Sequence, residues 1–122
     1  MGASLAVALL PMRPEVLKGH LDAMLLAVLE RGALHGYAII EALRVGSGDR
    51  FDLPTATIYP ALHRLEKAGL VDSTWSVVSG RRRRSYELTT TGRQTLTDER
   101  HGWHEFVTGV SSLLENPWPA TP

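Results

Sequence analysis

Between His20 and Glu30 the apolar residues fall at Leu21, Met24, Leu25, Val28 and Leu29, the i, i+3, i+4, i+7, i+8 recurrence of one helical stripe. The spacing predicts a first helix over 20–30. Arg31 and Gly32 end it, one a cation for the last turn and the other a residue free to take a left-handed cap. A second helix is expected over 35–44, with Tyr37, Ile40 and Leu43 turned inward, and "VGSGD" at 45–49 is a loop by composition. In "DLPTATIYPALHRLEKAGLVD" a third helix carries Ile58, Leu62 and Leu65 along one face, with Tyr59, His63, Arg64 and Lys67 pointing elsewhere, and Gly69 stops it. Thr55 and Thr57 are both candidate N-caps. If Thr57 is the cap, Pro60 falls in the first turn at little cost; if Thr55 is, one backbone hydrogen bond is lost. The start near Thr57 is favoured.

After Gly69 the period changes from about 3.6 to 2. Val71, Ser73, Trp75 and Val77 share one face of a strand, and Tyr86 and Leu88 continue the alternation across a connector that includes "VSGRRRR". The expectation is a two-stranded hairpin with arginines at its tip and on its return strand, Arg84 already belonging to the strand. Such a hairpin is marginal alone and must pack on the helices. From Thr90 a last helix, capped by a threonine, brings Leu96, Trp103, Phe106 or Val107, Val110, and Leu113 or Leu114 round at steps near 3.5. One small domain cannot cover that seam, so a second copy of the chain is expected to.

The chain carries 13 Lys+Arg and 13 Asp+Glu, but this neutrality is a cancellation. Residues 55–93 hold seven basic and three acidic residues, whereas 94–122 hold one and four. The middle third is therefore a basic face, and a neutral total does not argue against a polyanionic partner. The absence of cysteine excludes disulfides and thiolate–metal sites and fits a cytoplasmic location. The apolar N-terminal run lacks a basic flank and a cleavage site and is too short to span a membrane. Residues 1–16 read as a flexible arm, with Met12 an alternative start, and 116–122 as a disordered, proline-rich tail.

Three helices followed by a hairpin is the order of a winged helix-turn-helix. The fold class expected is mainly α with a small β-hairpin (α+β): a winged domain over 17–89 and a C-terminal dimerisation helix over 90–115. A cationic third helix beside a cationic wing suits double-stranded DNA. The helix fits the major groove and the wing holds phosphates, with one arginine entering a narrow minor groove.

"LDAMLLAVLERGALHGYAIIEAL", "LPTATIYPALHRLEKAGLVDSTW" and "GRRRRSYELTTTGR" together resemble the PadR-like transcriptional regulators, over about residues 17–93. The combination of Gly36-Tyr37, Ile58-Tyr59, Leu65-Glu66, Gly69-Leu70 and Tyr86–Leu88 before Thr89 and Gly92 is specific; each alone is weak. The resemblance implies a homodimeric winged-helix repressor of nearby genes, released by a small molecule or another cue, in the short subclass with a single C-terminal helix. A proline often stands where this chain has Arg82, a difference that bears on wing rigidity.

The residues expected on DNA are Thr55, Thr57, Tyr59, His63, Arg64 and Lys67 of the third helix and Arg81, Arg82 and Arg83 of the wing. Leu96, Trp103, Phe106, Val107, Val110 and Leu114 form the expected dimer interface or effector slot. Core packing is the first reading of Trp103. A platform for a small aromatic effector is the second, because in some PadR-like regulators flat aromatic compounds lodge between the two chains near this helix. Gly102 and Gly109 lie seven apart beside the seam, where close backbone approach would excuse their cost of about 1 kcal/mol each relative to alanine. His101, His104 and Glu105 suggest a metal site only superficially: the i, i+3 spacing brings the two imidazoles near one another, but no third ligand is evident, so no metal is expected, and no cofactor. No nucleophile–base pair, phosphate loop or carboxylate cluster suggests an enzyme. The alternative is a winged helix used for protein or RNA contact without operator binding.

Overall fold

The computed structural model describes Leu17 and residues 19–116. The expected arm at 1–16 and the tail beyond Asn116 lie outside the described residues. Helix α1 spans Leu21–Val28, shorter at both ends than the expected 20–30, so Arg31 falls beyond the last turn. Its stripe is also wider than expected, because Leu26 is buried alongside Leu25 and Leu29. A two-residue strand β1, Leu34–His35, follows and leads directly into α2, Gly36–Gly46. His35 therefore begins no helix. It caps α2, its Nδ1 accepting from the Ala38 N–H at 3.3 Å.

In α2 the inward positions are Gly36, Ile39 and Leu43, with Ile40 half-buried. Tyr37, expected inside, is 70% exposed. The stripe that reaches the core is set by where α1 and α3 lie, and two positions on from His35 the helix faces solvent.

Helix α3, Thr55–Lys67, starts earlier than expected. Neither threonine caps it. Pro54, extended at φ −77°, is the N-cap, and its carbonyl accepts from Thr57 N–H at 2.9 Å and Ile58 N–H at 3.1 Å. Pro60 therefore sits inside the helix and leaves the Ala56 carbonyl without its i+4 partner, on an exposed face where water can supply one. The helix closes as a Schellman motif. Gly69 takes φ +78°, Leu70 N–H donates to the Leu65 carbonyl at 2.9 Å, and Gly69 N–H donates to the Glu66 carbonyl at 3.0 Å.

Strands β2 (Val71–Val78) and β3 (Arg81–Leu88) pair antiparallel through their whole length, Val71 opposite Leu88 and Val78 opposite Arg81. Strand β1 pairs with the other edge of β3, giving a three-stranded sheet in the order β1-β3-β2 that the alternation pattern did not reveal. The loop is only Ser79-Gly80, with φ of +53° and +78° at both central positions, as a type I′ hairpin requires. All four arginines are consequently strand residues, and none occupies the turn itself.

Helix α4, Thr90–Glu115, is capped as expected by a threonine, Thr89, whose hydroxyl accepts from the Gly92 N–H at 2.9 Å. The same hydroxyl donates to the Gly69 carbonyl at 2.7 Å, tying the start of α4 to the end of α3. One core draws on every layer: Leu25, Leu26 and Leu29 of α1, Ile39 and Leu43 of α2, Ile58, Leu62 and Leu65 of α3, Val71, Tyr86 and Leu88 of the sheet. Leu96 of α4 also belongs to this core at 3% exposure, so it is not part of the open seam that its spacing suggests. Past Leu96, the described part of α4 is exposed apart from half-buried Ser111.

Candidate nucleic-acid interface

The outward flank of α3 presents the exposed side chains of Thr55, Thr57, Tyr59, His63, Arg64 and Lys67. Tyr59, Pro60, His63, Arg64 and Lys67 together line a shallow open depression along it. The side chains are not equally free. Tyr59 lies over Gly36 at the start of α2, so that a Cβ at Gly36 would stand 2.1 Å from the tyrosine hydroxyl. Arg64 reaches back to α1, its Nη2 2.9 Å from Asp22 Oδ1, although both groups are largely exposed and such a pair is worth at most about 1 kcal/mol. His63 and Lys67 make no ion pair among the described residues. The first turn of α3 holds no acidic residue, so its N–H groups and dipole favour an anion there.

Because β3 alternates, its arginines divide between two faces. Arg82 and Arg84 share the face of Trp75, Tyr86 and Leu88, and Arg81 and Arg83 lie on the other. Arg84 is committed. Its Nη2 is 3.0 Å from Glu66 Oε1 on α3 and its Nε 2.9 Å from Ser73 Oγ, which in turn donates to Glu66 Oε2. The Ser73 hydroxyl first, and the Arg84 charge after it, hold the Glu66 carboxyl below the usual carboxylate range against the opposing effect of burial. Nothing in the sequence marks Glu66 and Ser73 as partners of an arginine. Their signal is weak, since a Glu near the end of a helix and a Ser in a strand meet only once the hairpin folds back. This cluster joins the wing to the third helix.

Arg82 stacks on the Trp75 indole at 4.6 Å from the ring centroid, and Arg84 covers the same ring at 5.5 Å. Arg81 and Arg83 are exposed. Arg83 lies close enough to His35 that its charge, second to burial, lowers the imidazole pKa.

The C-terminal set comes together differently. Trp103 and Phe106 sit 5.9 Å apart, and His20 meets Trp103 edge-on at 5.4 Å, so an imidazole from the start of α1 joins the aromatic cluster. No periodicity connects His20 with Trp103; only the packing of α1 against α4 does. Trp103 remains 50% exposed, Phe106 57% and Leu114 77%. Val107 and Val110 are less open, at 36% and 37% exposure. Alanine methyls at Gly102 or Gly109 would meet nothing within 4 Å. Arg100 holds the helix to the domain with a bidentate pair to Glu30, both bonds at 2.7 Å. No described helix is long and apolar enough to cross a membrane.

A helix-turn-helix with a basic wing clamped to its third helix is the architecture of winged-helix DNA-binding proteins. Residues 25–98 match the model of the Transcriptional regulator PadR-like family, and the chain belongs to that family. It is a transcriptional regulator, of a family whose members bind DNA and are not enzymes. It is 39% identical over 77 residues to a transcriptional regulator of Mycobacterium tuberculosis, covering 63% of this chain and 69% of that protein. Among solved structures it is similar to a transcriptional regulator from Clostridium thermocellum (TM-score 0.76, 25% identity, 82% of this chain and 98% of that one). It is also similar to a PadR family transcriptional regulator from Eggerthella lenta (TM-score 0.73, 31% identity, 84% and 88%).

Proposed function

We propose that the chain is a homodimeric repressor that binds a two-fold operator through α3 and the wing and is released by a small aromatic effector. The observation that carries the assembly is the exposed apolar stripe of α4, from Trp103 to Leu114. A helix roughly 22 Å long beyond Arg100, apolar along one side, gains little by standing in water. A second copy related by a two-fold axis supplies the same stripe and buries both. The open space around Gly102 and Gly109 leaves room for that partner's backbone. Residues 17–89 then serve as the DNA-binding unit and 90–115 as the dimerisation helix, acting in the cytoplasm.

In this reading Thr55, Thr57, Tyr59, His63 and Lys67 address the major groove and its phosphates, with Arg64 joining once it leaves Asp22. Arg81, Arg82 and Arg83 hold the flanking DNA, Arg81 and Arg83 through its phosphates. The two copies of α3 meet half-sites about 10 bp apart. An effector lodged beside Trp103 and Phe106 releases DNA only if it favours a dimer geometry that the operator does not.

The test pairs sedimentation with DNA binding. Wild type should sediment as a dimer and retard a duplex from its own upstream region in moderate salt. Replacing Arg81 and Arg83 together by alanine should weaken all sequences alike. The log–log salt slope should flatten by about 0.9 for every phosphate that the variant no longer neutralises. Trp103→Ala should stay dimeric if the indole is mainly a ligand platform and become monomeric if it is mainly interface. A monomeric wild type that still binds a palindromic duplex tightly would refute the assembly.

A further inference from the structure

We propose that Arg82 reads the width of the minor groove and that Trp75 is the residue that positions it; this rests on the DNA-binding reading above. Of the four consecutive arginines, Arg84 is engaged by Glu66 and Ser73. Arg81 and Arg83 lie on the opposite face of β3 and have no aromatic support among the described residues. Arg82 alone is held by a contact that leaves its hydrogen-bonding edge open: the guanidinium lies over the Trp75 indole, 4.6 Å from the ring centroid, with no carboxylate partner among the described residues. A stacked guanidinium loses rotamer freedom before binding while its N–H groups remain available, so less entropy is lost when a groove closes around it.

The indole is itself pinned. Arg84 covers the same ring at 5.5 Å and is fastened to α3 through Glu66, so the chain of contacts runs α3–Glu66–Arg84–Trp75–Arg82. Trp75 nevertheless stays 56% exposed and Val77, opposite Arg82 in register, 70% exposed. A wing with an apolar flank and one preset guanidinium suits a narrow groove, where A·T-rich sequence concentrates negative potential and base edges offer only acceptors. Phosphate contacts would need neither the indole nor the apolar flank.

The experiment uses the full chain and a duplex that wild type selects from a random-sequence pool. Two versions of that duplex keep the selected half-sites and carry either A·T or G·C tracts in the flanking base pairs. Wild type should prefer the A·T version by at least about fivefold, the discrimination one well-placed groove contact confers. Arg82→Ala should abolish the preference, and Trp75→Ala should reduce it about two- to fivefold, the scale of an exposed cation–π contact. Trp75→Phe should keep most of it, and Trp75→Ala should add nothing in the Arg82→Ala background. Arg81→Ala should weaken both duplexes equally. The proposal is overturned if wild type shows no flank preference, if Arg82→Ala retains it, or if Trp75→Ala acts equally with and without Arg82. Failure of wild type to bind any duplex at low salt would instead sink the DNA-binding reading beneath it.

Discussion

Gly36→Ala places a methyl carbon where Tyr59 already stands. The added Cβ would lie 2.1 Å from the tyrosine hydroxyl, 2.6 Å from Cζ and 2.8 Å from Cε1, whereas ordinary contact is about 3.5 Å or more. The ring tip must therefore retreat by more than 1 Å. Two outcomes are physically distinct. If the core holds Tyr59 in place, the methyl is overpacked at about 1–3 kcal/mol. If the ring, which is 38% exposed, tilts outward, the cost falls to an off-rotamer excursion of about 0.5–1.5 kcal/mol. Gly36 does not take a positive φ, so alanine also recovers up to about 1 kcal/mol of helix propensity. The exposure of the ring favours the tilt. The expected result is a small fall in Tm, within about 5 °C at matched protein concentration, with a larger fall in specific DNA affinity because Tyr59 has moved on the helix proposed to read the groove. Thermal unfolding and fluorescence anisotropy measure the two. A double-mutant cycle with Tyr59→Ala isolates the contact: Gly36→Ala should be neutral or stabilising without the ring, giving a coupling of about 1 kcal/mol. Equal effects of Gly36→Ala with and without Tyr59 would refute the seating of that ring on α2.

Gly92→Ala should be far more damaging, because its Cβ would stand 2.0 Å from the Leu70 carbonyl oxygen, and a backbone atom cannot swing aside as a side chain can. We expect a loss of about 3 kcal/mol, at the upper end of overpacking costs, read as a drop in the urea midpoint; an unshifted midpoint would mean that α4 starts elsewhere. His35 gives a pH signature. Burial first and Arg83 second hold its imidazole below 6.5, so the folded chain keeps it neutral where the unfolded chain takes up a proton. Its contribution is complete above the ordinary histidine range and is lost as pH falls through about 6.5 toward the lower folded value. His35→Asn retains a capping side chain without a titrating one and should flatten the stability-versus-pH slope between about pH 5 and 7; an unchanged slope would contradict the burial of His35.

The helices are legible in the sequence because each must bury one stripe, and burial repeats every 3.6 residues whatever the helix packs against. The hairpin announces itself by the switch to alternation, the end of α3 by Gly69, and the cap of α4 by its threonines. The family, too, can be read from motifs that combine these signals. What the sequence does not determine is everything that depends on which neighbour a position meets. Tyr37 and Leu96 fall on the opposite side from the one their spacing suggests, because period fixes the spacing of a stripe but not its rotation about the helix axis. Strand β1, two residues long, has no period at all and exists only because β3 offers it an edge. Pro54 displaces both threonines as the cap of α3 because its backbone is already extended at the helix entrance, a local fact that two good capping side chains nearby conceal. Four identical arginines in a row carry no information about one another's roles. The two-residue turn puts all of them on a strand, and the pleat sorts them onto two faces. Glu66, 18 residues before Arg84 in the chain, then claims that one arginine for the fold, because only the folded hairpin brings the two side chains within hydrogen-bonding distance.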